Sequence, residues 1–573
     1  MPRAIASFAL CLALYAQEPA EQIHLSTTAD GSTLYLAVPF PRTGTDDPVQ
    51  GRIYTVTPAG LSLYAERARE ILPLTPGQPQ VTNYYSFVGA EVTADGLTLA
   101  LSVRRDCVSG RNCVGVPTLQ TELTGTIERT VPNRVKFSPD GRWLLRFTDY
   151  GIGSAPGGLT DLATGAETPL PLYSDQLHPG SPVANNGSVV YDRAGLRLLP
   201  YLASDPIPIT SLLAEQATNP NLSADAQLIV YSSAWEYPYH AYRRLRIVDL
   251  TTAQSRTLIE GFANYYQPVL SHDARRVLFL SDDPRDNSGW LMSPQAHVID
   301  IDGSSLRRLT DDPSGIATAI LSGDGRVAYA LSRTGRLLRI DVDSGAETEL
   351  IPPFLQVFSM SPLVAGSRVD IEAFEAPDFR LSLDGQPLEL TRDAPGRFHF
   401  VLPFDLAGQT PRLRAESSFP PGPFQPQLFD QDVVVFQLSP RAYDLPPEFG
   451  GPGAYGMRFS RVYDESLSRL VTPFLPAAPG DVVNVLATGL GPVLPATGEL
   501  ATPLSCRWAS TTDLTPIDPL FAGLHPTDPG VYLLRFRLPA LPALMTYEGA
   551  LQITCSDTSR LTNALVILVP VHR

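Results

Sequence analysis

The chain has 573 residues, of which 43% are hydrophobic and 18% charged, so it is too long for one ordinary domain and apolar enough to bury several cores. Its formal net charge of −16, without a basic stripe in the sequence, excludes nucleic acid as the default partner, because such proteins neutralise phosphates with Lys and Arg. The 55 prolines, almost twice the usual share of ~5%, argue against long helices.

Residues 1–16 have the form of a short secretory signal peptide. Arg3 supplies a positive charge, residues 4–14 form a mostly apolar run, and the small Ala16 is a suitable last residue before cleavage. A buried first strand or helix is the alternative interpretation. No later stretch reaches the ~18 apolar residues that a bilayer span requires. We therefore predict an exported protein, periplasmic or extracellular, without a membrane span.

A turn signal flanked by strand-like runs recurs along residues 22–355. Its marker residues are 39 to 65 positions apart, a period typical of a propeller or solenoid. Each turn is followed by aliphatic and β-branched residues, a variable loop and two further strands, which is the content of one propeller blade. Asn and Gly at the turns tolerate the positive φ that a tight hairpin needs, so these residues are structural. The markers are Asp30, Asp95, Asp140, Asn186, Asp225, Asp273 and Asp324.

One copy of this repeat resembles a known family. Residues 136–145, Lys-Phe-Ser-Pro-Asp-Gly-Arg-Trp-Leu-Leu, are similar to the WD40-like repeat of TolB-type β-propellers, and residues 219–225 are a degenerate copy. The resemblance covers residues 22–355. It implies an all-β propeller, and six blades are usual in that family. Because seven units can be counted here, we predict a seven-bladed propeller, with six blades as the alternative.

A different architecture begins after the propeller. Residues 396–403 parallel residues 530–539, and each segment is followed by an alternating strand and then an apolar strand. Short strands bounded by Pro and Gly turns are typical of β-sandwiches. We predict two Ig-like β-sandwich modules, at residues 356–440 and 441–573.

The second module carries a likeness of its own. Residues 479–492, 520–524 and 529–532 together resemble the C-terminal domain of large exported acidobacterial proteins of Solibacter type. The sequence departs from that pattern at residues 533–535, where Leu-Leu-Arg replaces the usual polar Gln-Val-Asn. The resemblance implies export and a β-sandwich end, and it implies no activity.

Four cysteines remain once Cys11 is removed with the signal peptide. They have neither CxxC nor Cys/His metal spacing, and an exported chain favours disulfides. We predict the pairs Cys107–Cys113 and Cys506–Cys555, with free buried cysteines as the alternative.

Motifs for catalysis and metal binding are largely missing from the sequence. Neither Gly-x-Ser-x-Gly nor His-Glu-x-x-His occurs, and the eight His are scattered singly, which argues against a serine peptidase and a zinc hydrolase. Asx turns explain the pairs Asp300–Asp302 and Asp341–Asp343. We predict no metal or cofactor, but calcium binding at Asp282, Asp283 and Asp286 stays open as an alternative.

Aromatic residues are concentrated on one predicted face, formed by connections into first strands and between second and third strands. Loops on a rigid scaffold commonly carry binding, and Tyr and Trp give large contacts at low entropy cost. The alternative is that these rings plug the spaces between blades. The candidate binding residues are Tyr84, Tyr85, Trp235, Tyr237, Tyr239, His240, Tyr265, Tyr266 and Trp290.

Two classes of function follow from this arrangement. We predict a non-enzymatic binding protein that recognises a protein or glycan partner in the cell envelope through a propeller face. The alternative is a propeller-based enzyme, such as a carbohydrate lyase or hydrolase, acting at the channel mouth. A cluster of Asp, Glu, Arg and His converging there would favour the enzyme.

Overall fold

The structure is a computed structural model, and it is all-β. The only helix among the described residues is a short 3-10 turn, Phe404–Leu406, and none in that part is long and apolar enough to cross a membrane. The structure describes residues 23–38, 49–68, 70–71, 82–108, 118–132, 134–147, 157–170, 182–192, 196–201, 203, 207–209, 216–234, 243–261, 264–282, 294–355, 358–360, 363–373, 378–394, 397–406, 409–419, 430–433, 435, 441–442, 460–465, 469–472, 475–494, 496–509, 514–539, 550–557 and 560–571.

The first part of the chain folds into seven consecutive antiparallel sheets, named sheets 1 to 7. Each takes its strands in order from one continuous segment. Sheets 1 and 2 contain β1 (His24–Thr27), β2 (Leu34–Val38), β3 (Val49–Thr57) and β4 (Gly60–Ala68), then β5 (Glu70–Ile71), β6 (Thr82–Val92), β7 (Thr98–Val108), β8 (Thr118–Gly125) and β9 (Arg129–Pro132). Sheets 3 and 4 contain β10 (Arg134–Phe137), β11 (Trp143–Phe147), β12 (Gly157–Asp161) and β13 (Glu167–Leu170), then β14 (Val189–Asp192), β15 (Leu196–Leu199) and β16 (Ile207–Pro208).

Sheets 5 to 7 repeat the same four-stranded order. They contain β17 (Gln216–Leu222), β18 (Leu228–Ala234), β19 (Arg243–Asp249) and β20 (Gln254–Gly261); β21 (Asn264–Leu270), β22 (Arg276–Asp282), β23 (Gln295–Asp300) and β24 (Arg307–Arg308); and β25 (Ile316–Leu321), β26 (Val327–Ser332), β27 (Leu337–Asp341) and β28 (Glu347–Ile351).

Neighbouring sheets pack side by side with their innermost strands close together, and in sheet 2 this strand is β6, which follows the short β5. Strand β6 lies beside β1 and β10, and β21 lies beside β17 and β25. Strand β1 also lies beside β25, so the first sheet meets the seventh. Their shared core includes Leu34 and Leu331, and the buried Tyr329 hydroxyl donates to the carbonyl of Gly31 at 2.8 Å. Consecutive sheets arranged in this way, with first strands innermost, are those of a β-propeller.

In sheets 1, 3, 5, 6 and 7 the predicted turn lies between the first and second strands, in sheet 2 it lies between β6 and β7, and in sheet 4 it precedes β14. Turns of neighbouring sheets contact one another. Hydrogen bonds join the turns of sheets 7 and 1, 1 and 2, 3 and 4, 4 and 5, and 6 and 7. They are Asp324 N–H to Ala29 O (2.9 Å), Ala29 N–H to Ala94 O (3.0 Å), Asp140 N–H to Asn185 Oδ1 (2.9 Å), Asn185 N–H to Ala224 O (2.9 Å) and His272 N–H to Gly323 O (2.7 Å).

A hydroxyl two residues before the marker aspartate stabilises each of six turns. In sheet 7, Ser322 Oγ donates to Asp324 Oδ1 at 2.7 Å and accepts from Val327 N–H at 2.9 Å, while Asp324 also accepts from Arg326 N–H at 3.0 Å. These bonds replace those that the backbone loses in the turn, which explains the Ser/Thr-x-Asp pattern.

Glycine at the turn of sheet 1 is favoured by both conformation and space. Gly31 has φ +64°, and a Cβ there would lie 2.8 Å from Val327 Cβ in the seventh sheet. Sheets 5 and 6 have Ala226 and Ala274 at the same turn position, with φ of 60° and 53°. This left-handed conformation costs a non-glycine residue roughly 1–2 kcal/mol.

Substitution at these turns separates strain from packing. We expect Gly31→Ala to lower the free energy of unfolding by about 2–4 kcal/mol, because strain and a clash add, and Ala274→Gly to raise it by up to about 1 kcal/mol. Gly345→Ala is the control, since Gly345 has φ +74° and open space around it. Urea denaturation measures all three. A loss for Gly31→Ala no larger than that for Gly345→Ala would show that the sheet 7 contact is unimportant.

The remaining chain forms four sheets that pack as two pairs. Sheets 8 and 9 have strand orders β29-β30-β34-β33 and β32-β31-β35-β36; sheets 10 and 11 have orders β39-β38-β40-β44-β43, with β37 also on β40, and β42-β41-β45-β46. The strands are β29 (Phe358–Met360), β30 (Arg368–Ala373), β31 (Arg380–Leu383), β32 (Gln386–Pro387), β33 (Thr391–Ala394), β34 (Arg397–Val401), β35 (Arg412–Glu416), β36 (Asp430–Asp432), β37 (Arg441–Ala442), β38 (Val462–Asp464), β39 (Leu470–Val471), β40 (Val482–Thr488), β41 (Leu504–Ala509), β42 (Leu514–Pro516), β43 (Phe521–Leu524), β44 (Tyr532–Arg537), β45 (Ala550–Asp557) and β46 (Arg560–Pro570).

Each pair of sheets encloses one core. In the first module, sheets 8 and 9, Ile371 and Phe400 of one sheet share a core with Leu381 and Leu413 of the other. In the second module, sheets 10 and 11, the core contains the predicted disulfide between Cys506 and Cys555. That pairing is confirmed, and the two residues face each other on β41 and β45. The other predicted pair, Cys107 and Cys113, lies outside the side chains that the structure describes.

The two modules meet at the start of β30. Arg368 N–H donates to the carbonyl of Gly530 at 3.0 Å, and Gly489 N–H donates to Ser367 Oγ at 3.0 Å. The Arg368 guanidinium binds Asp370 in its own strand at 2.7 Å and Asp528 of the second module at 3.4 Å. Backbone hydrogen bonds and an ion pair therefore join the modules.

Candidate functional site

The innermost strands of sheets 1 to 7 define the axis around which a functional site can form. A first strand such as β17 or β21 pairs with the second strand of its own sheet and has no hydrogen-bonded partner on its other edge among the described strands. That edge faces the axis, where first strands of neighbouring sheets approach each other. Polar side chains on these strands can therefore meet across sheets.

Ionisable side chains from three consecutive sheets meet where the innermost strands converge. His24 of β1 places Nε2 at 3.2 Å from Glu91 Oε1 of β6, and the same carboxylate forms an ion pair with Lys136 of β10. Their side chains are 25%, 16% and 13% exposed. A single carboxylate that contacts both neighbouring sheets lies where their innermost strands converge. We call His24, Glu91 and Lys136 the axial cluster.

The hydrogen bonds of His24 fix its tautomer. Ala90 N–H donates to His24 Nδ1 at 3.4 Å, so Nδ1 is an acceptor and the proton of the neutral ring lies on Nε2, which faces Glu91. Burial alone would raise the pKa of Glu91, but the Lys136 ammonium and the bond from His24 outweigh it, and the pKa lies below its ordinary value. Glu91 is therefore ionised at neutral pH.

This geometry is suited to holding charge in place. A general acid near neutral pH needs a raised carboxyl pKa, and a general base needs a ring nitrogen free for its substrate. Glu91 has a lowered pKa, and both nitrogens of His24 are engaged within the protein. The cluster supplies fixed, paired charges.

The sequence-predicted aromatic residues that the structure describes lie between sheets. Tyr265 is 4% exposed and packs edge-to-face against Phe279, with ring centroids 5.9 Å apart, in the core between sheets 5 and 6. Tyr266 packs against the core of sheets 6 and 7, and Tyr85 against that of sheets 1 and 2. The Tyr265 ring is thus unavailable to a ligand. At this position the ring fills the space between two sheets, which is the alternative interpretation of the sequence.

The other predicted binding residues cannot be placed. The side chain of Tyr84 and residues Trp235, Tyr237, Tyr239, His240 and Trp290 lie outside the described part. By connectivity, residues 235–242 join β18 to β19, and residues 283–293 join β22 to β23. Whether these residues share one surface with Tyr85, Tyr265 and Tyr266 therefore stays a prediction.

The axial cluster was not predicted from the sequence, although a signal was present. Lys136 is the only lysine in the chain. It stands four residues before its turn marker Asp140, as Glu91 stands four before Asp95, so the two occupy equivalent positions in adjacent repeats. Equivalent positions in neighbouring sheets are close in space. A basic and an acidic residue at such positions therefore predict an ion pair between the sheets.

The acidic turns have the structural role that the sequence predicts. Asp302 Oδ1 accepts from Ser304 N–H at 2.8 Å, and Asp341 Oδ1 accepts from Ser344 N–H at 2.8 Å. These serine bonds lower the pKa of both carboxyls. Within the described residues, three or more metal-ligating side chains do not come together. Asp283 and Asp286, and the side chain of Asp282, lie outside the described part.

Comparison with known proteins gives only remote likenesses. No family model matches this chain, and no curated protein matches its sequence significantly. Similar solved structures include a putative TolB from Agrobacterium tumefaciens, with 17% identity, 51% of this chain and 84% of that chain covered, and a TM-score of 0.28. The β-propeller domain of the Trilobed protease from Pyrococcus furiosus has 10% identity, coverage of 57% and 97%, and a TM-score of 0.37. Prolyl oligopeptidase B from Galerina marginata has 11% identity, coverage of 70% and 56%, and a TM-score of 0.40. Likeness at this level transfers no activity, partner or site, and the Solibacter-type resemblance stays a prediction.

Proposed function

We propose that this chain is an exported, non-enzymatic binding protein. In this proposal sheets 1 to 7 are the blades of a seven-bladed propeller, and the two modules are Ig-like spacers or attachment units. The face that carries the connections into first strands and between second and third strands, named the loop face, recognises a protein or glycan partner. The Cys506–Cys555 disulfide fits an oxidising compartment.

The state of the axial cluster is the observation that carries this proposal. An enzyme at the channel mouth would need an acid, a base or a nucleophile with unused capacity. Glu91 instead forms ion pairs with both His24 and Lys136, and its carboxyl pKa is lowered. Charges that are fixed in ion pairs can orient and recognise a bound partner, but they are poorly suited to transferring protons.

A projecting ribbon on the loop face supports recognition there. Strands β6 and β7 have 11 residues each, whereas β1 and β10 have 4. Strands β1 and β6 end at the same distance from their turns, so the additional length lies on the loop face, and at ~3.3 Å per residue it extends about 20 Å. A ribbon of this length, with the short β5 paired to β6 at Thr82 and Asn83, can form one wall of a binding site.

Photo-crosslinking in the native host tests this proposal. Benzoylphenylalanine replaces Tyr237, predicted on the loop face, and, as controls, Leu97 at a turn on the opposite face and Leu520 in the second module, which are 59% and 56% exposed. We expect a defined adduct from position 237 and none from the controls. Adducts only from the controls would refute the loop face, and chemical conversion of the captured molecule by the purified chain would favour the enzyme.

A further inference from the structure

The junction between sheets 7 and 1 differs from the other junctions in how the chain runs. Sheets 1 to 7 follow one another along the chain, so each is joined covalently to the next, but sheet 7 is not joined in this way to sheet 1. This junction is therefore held by non-covalent contacts. At its turn end they include the bonds from Tyr329 to Gly31 and from Asp324 to Ala29.

The segment that follows β28 crosses the loop-face end of this junction. Strand β28 is the outermost strand of sheet 7 and ends at Ile351. The backbone N–H groups of Phe354 and Leu355 then both donate to the carbonyl of Thr334, at 2.8 and 2.9 Å. Thr334 lies in the connection between β26 and β27, so the chain runs back over the end of sheet 7 toward its inner strands. We name residues 352–355 the latch.

The latch side chains fill the core that sheets 7 and 1 share. Phe354 is 4% exposed and Leu355 is 0% exposed, and they belong to the same core as Ile23 and Leu25 at the start of sheet 1. The Phe354 ring lies against Gly335, where a Cβ would come within 2.6 Å of a ring carbon. The glycine therefore makes room for the ring. Close packing of apolar side chains in this way stabilises the junction.

The first module begins directly after the latch. Strand β29 starts at Phe358, three residues beyond Leu355, and three residues of extended chain span at most about 10 Å. The first module therefore starts close to the loop face. Because the connection is this short, a larger displacement of the module withdraws Leu355 from the core.

We propose that the latch is a conformational device that closes the ring between sheets 7 and 1 and couples this closure to the position of the first module. With the latch in place, Phe354 and Leu355 fill the loop-face end of the junction. With the latch withdrawn, that end loses two buried side chains, so β1 and β25 separate more often. This inference goes beyond the proposed function, because it concerns closure of the ring and requires no particular ligand.

Hydrogen–deuterium exchange on the full chain tests closure of the junction. In Phe354→Ala we expect amide exchange at least tenfold faster in β1 and β25, with exchange in β17 and β21 unchanged. The control is Phe137→Ala, which removes a buried ring from the core of sheets 2 and 3 and should leave β1 and β25 unchanged. Equal acceleration in all four strands, acceleration of β1 and β25 by both variants, or no acceleration refutes the latch.

Single-molecule energy transfer tests the coupling to the first module. Dyes on unnatural amino acids replace Ile207 of sheet 4 and Val401 of the first module, which are 49% and 43% exposed. We expect a narrow distance distribution in the wild type and in Phe137→Ala, and one at least twice as broad in Phe354→Ala/Leu355→Ala. Equal widths in the wild type and the double variant overturn the coupling. Should either latch variant not fold, Phe354→Leu replaces it, with threefold faster exchange and the same width criterion.

Discussion

Lys136→Met is expected to lower the free energy of unfolding by about 3–5 kcal/mol. The substitution removes the cation that faces Glu91 and leaves a carboxylate that is 16% exposed without its charge partner. Breaking a buried pair on one side costs this much because the remaining charge stays desolvated. Urea denaturation at pH 7 measures the loss.

Two further variants identify the cause of that loss. Glu91→Gln/Lys136→Met removes both charges and should recover most of the stability, since no uncompensated charge remains. Arg412→Met is the control, because its ion pair with Asp430 is 60% and 38% exposed and worth no more than about 1 kcal/mol. If Lys136→Met costs no more than Arg412→Met, the axial cluster does not hold sheets 1 to 3 together.

The axial cluster also predicts a pH dependence. The folded pKa of Glu91 lies below its ordinary value of 4.5, so the unfolded chain binds more protons than the folded chain as the pH falls. The stabilisation is fully present above that value and is lost as the pH falls through the lower folded pKa. Urea midpoints between pH 7 and 3 should therefore fall less steeply in Glu91→Gln than in the wild type.

Tyr265→Ala is expected to cost about 3–5 kcal/mol of folding free energy. Its ring is 4% exposed, contacts Phe279 and fills the core between sheets 5 and 6, so truncation leaves a cavity. Thermal unfolding measures this effect. A melting temperature close to that of the wild type would show that the ring is not part of the inter-sheet core.

The loop variant Trp235→Ala/Tyr239→Ala should have the opposite effect. If these rings contact the partner, binding of the crosslinked molecule weakens by about 2 kcal/mol, roughly 30-fold, while the melting temperature stays nearly unchanged. Titration calorimetry measures the affinity. Loss of stability with affinity retained would place these rings in an inter-blade core like that of Tyr265.

The turn repeat was the most informative part of the sequence because it reflects local chemistry. A Ser or Thr two residues before Asp, followed by a residue with positive φ, specifies the hairpin wherever it occurs, and such turns lie between the first and second strands of the sheets. The Cys506–Cys555 pairing was predictable for a different reason, because the four cysteines after the predicted signal peptide fall into two well-separated pairs.

The positions of aromatic rings were less predictable. A strand in an inner sheet is buried on both faces, so alternation does not separate ring positions that face a core from those that face a ligand. Tyr265 and Tyr266 are adjacent in sequence, yet they pack into the cores on opposite sides of sheet 6.

The axial cluster depends on the arrangement of whole sheets. His24 and Lys136 come from sheets 1 and 3 and both contact Glu91 of sheet 2, an arrangement that no local pattern encodes. Strands β17 and β21 are irregular at Asn219 and Gln267, and these bulges had a local signal, because proline within a strand marks a bulge or an edge.

Hydrogen–deuterium exchange with and without the captured partner tests the central claim most directly, since it reports where backbone amides become protected. The account predicts added protection in β6, β17 and β21, which begin at the proposed loop face, and none in the two modules. Protection confined to residues 363–570, or to the turns around Asp30 and Asp95, would contradict recognition at the loop face.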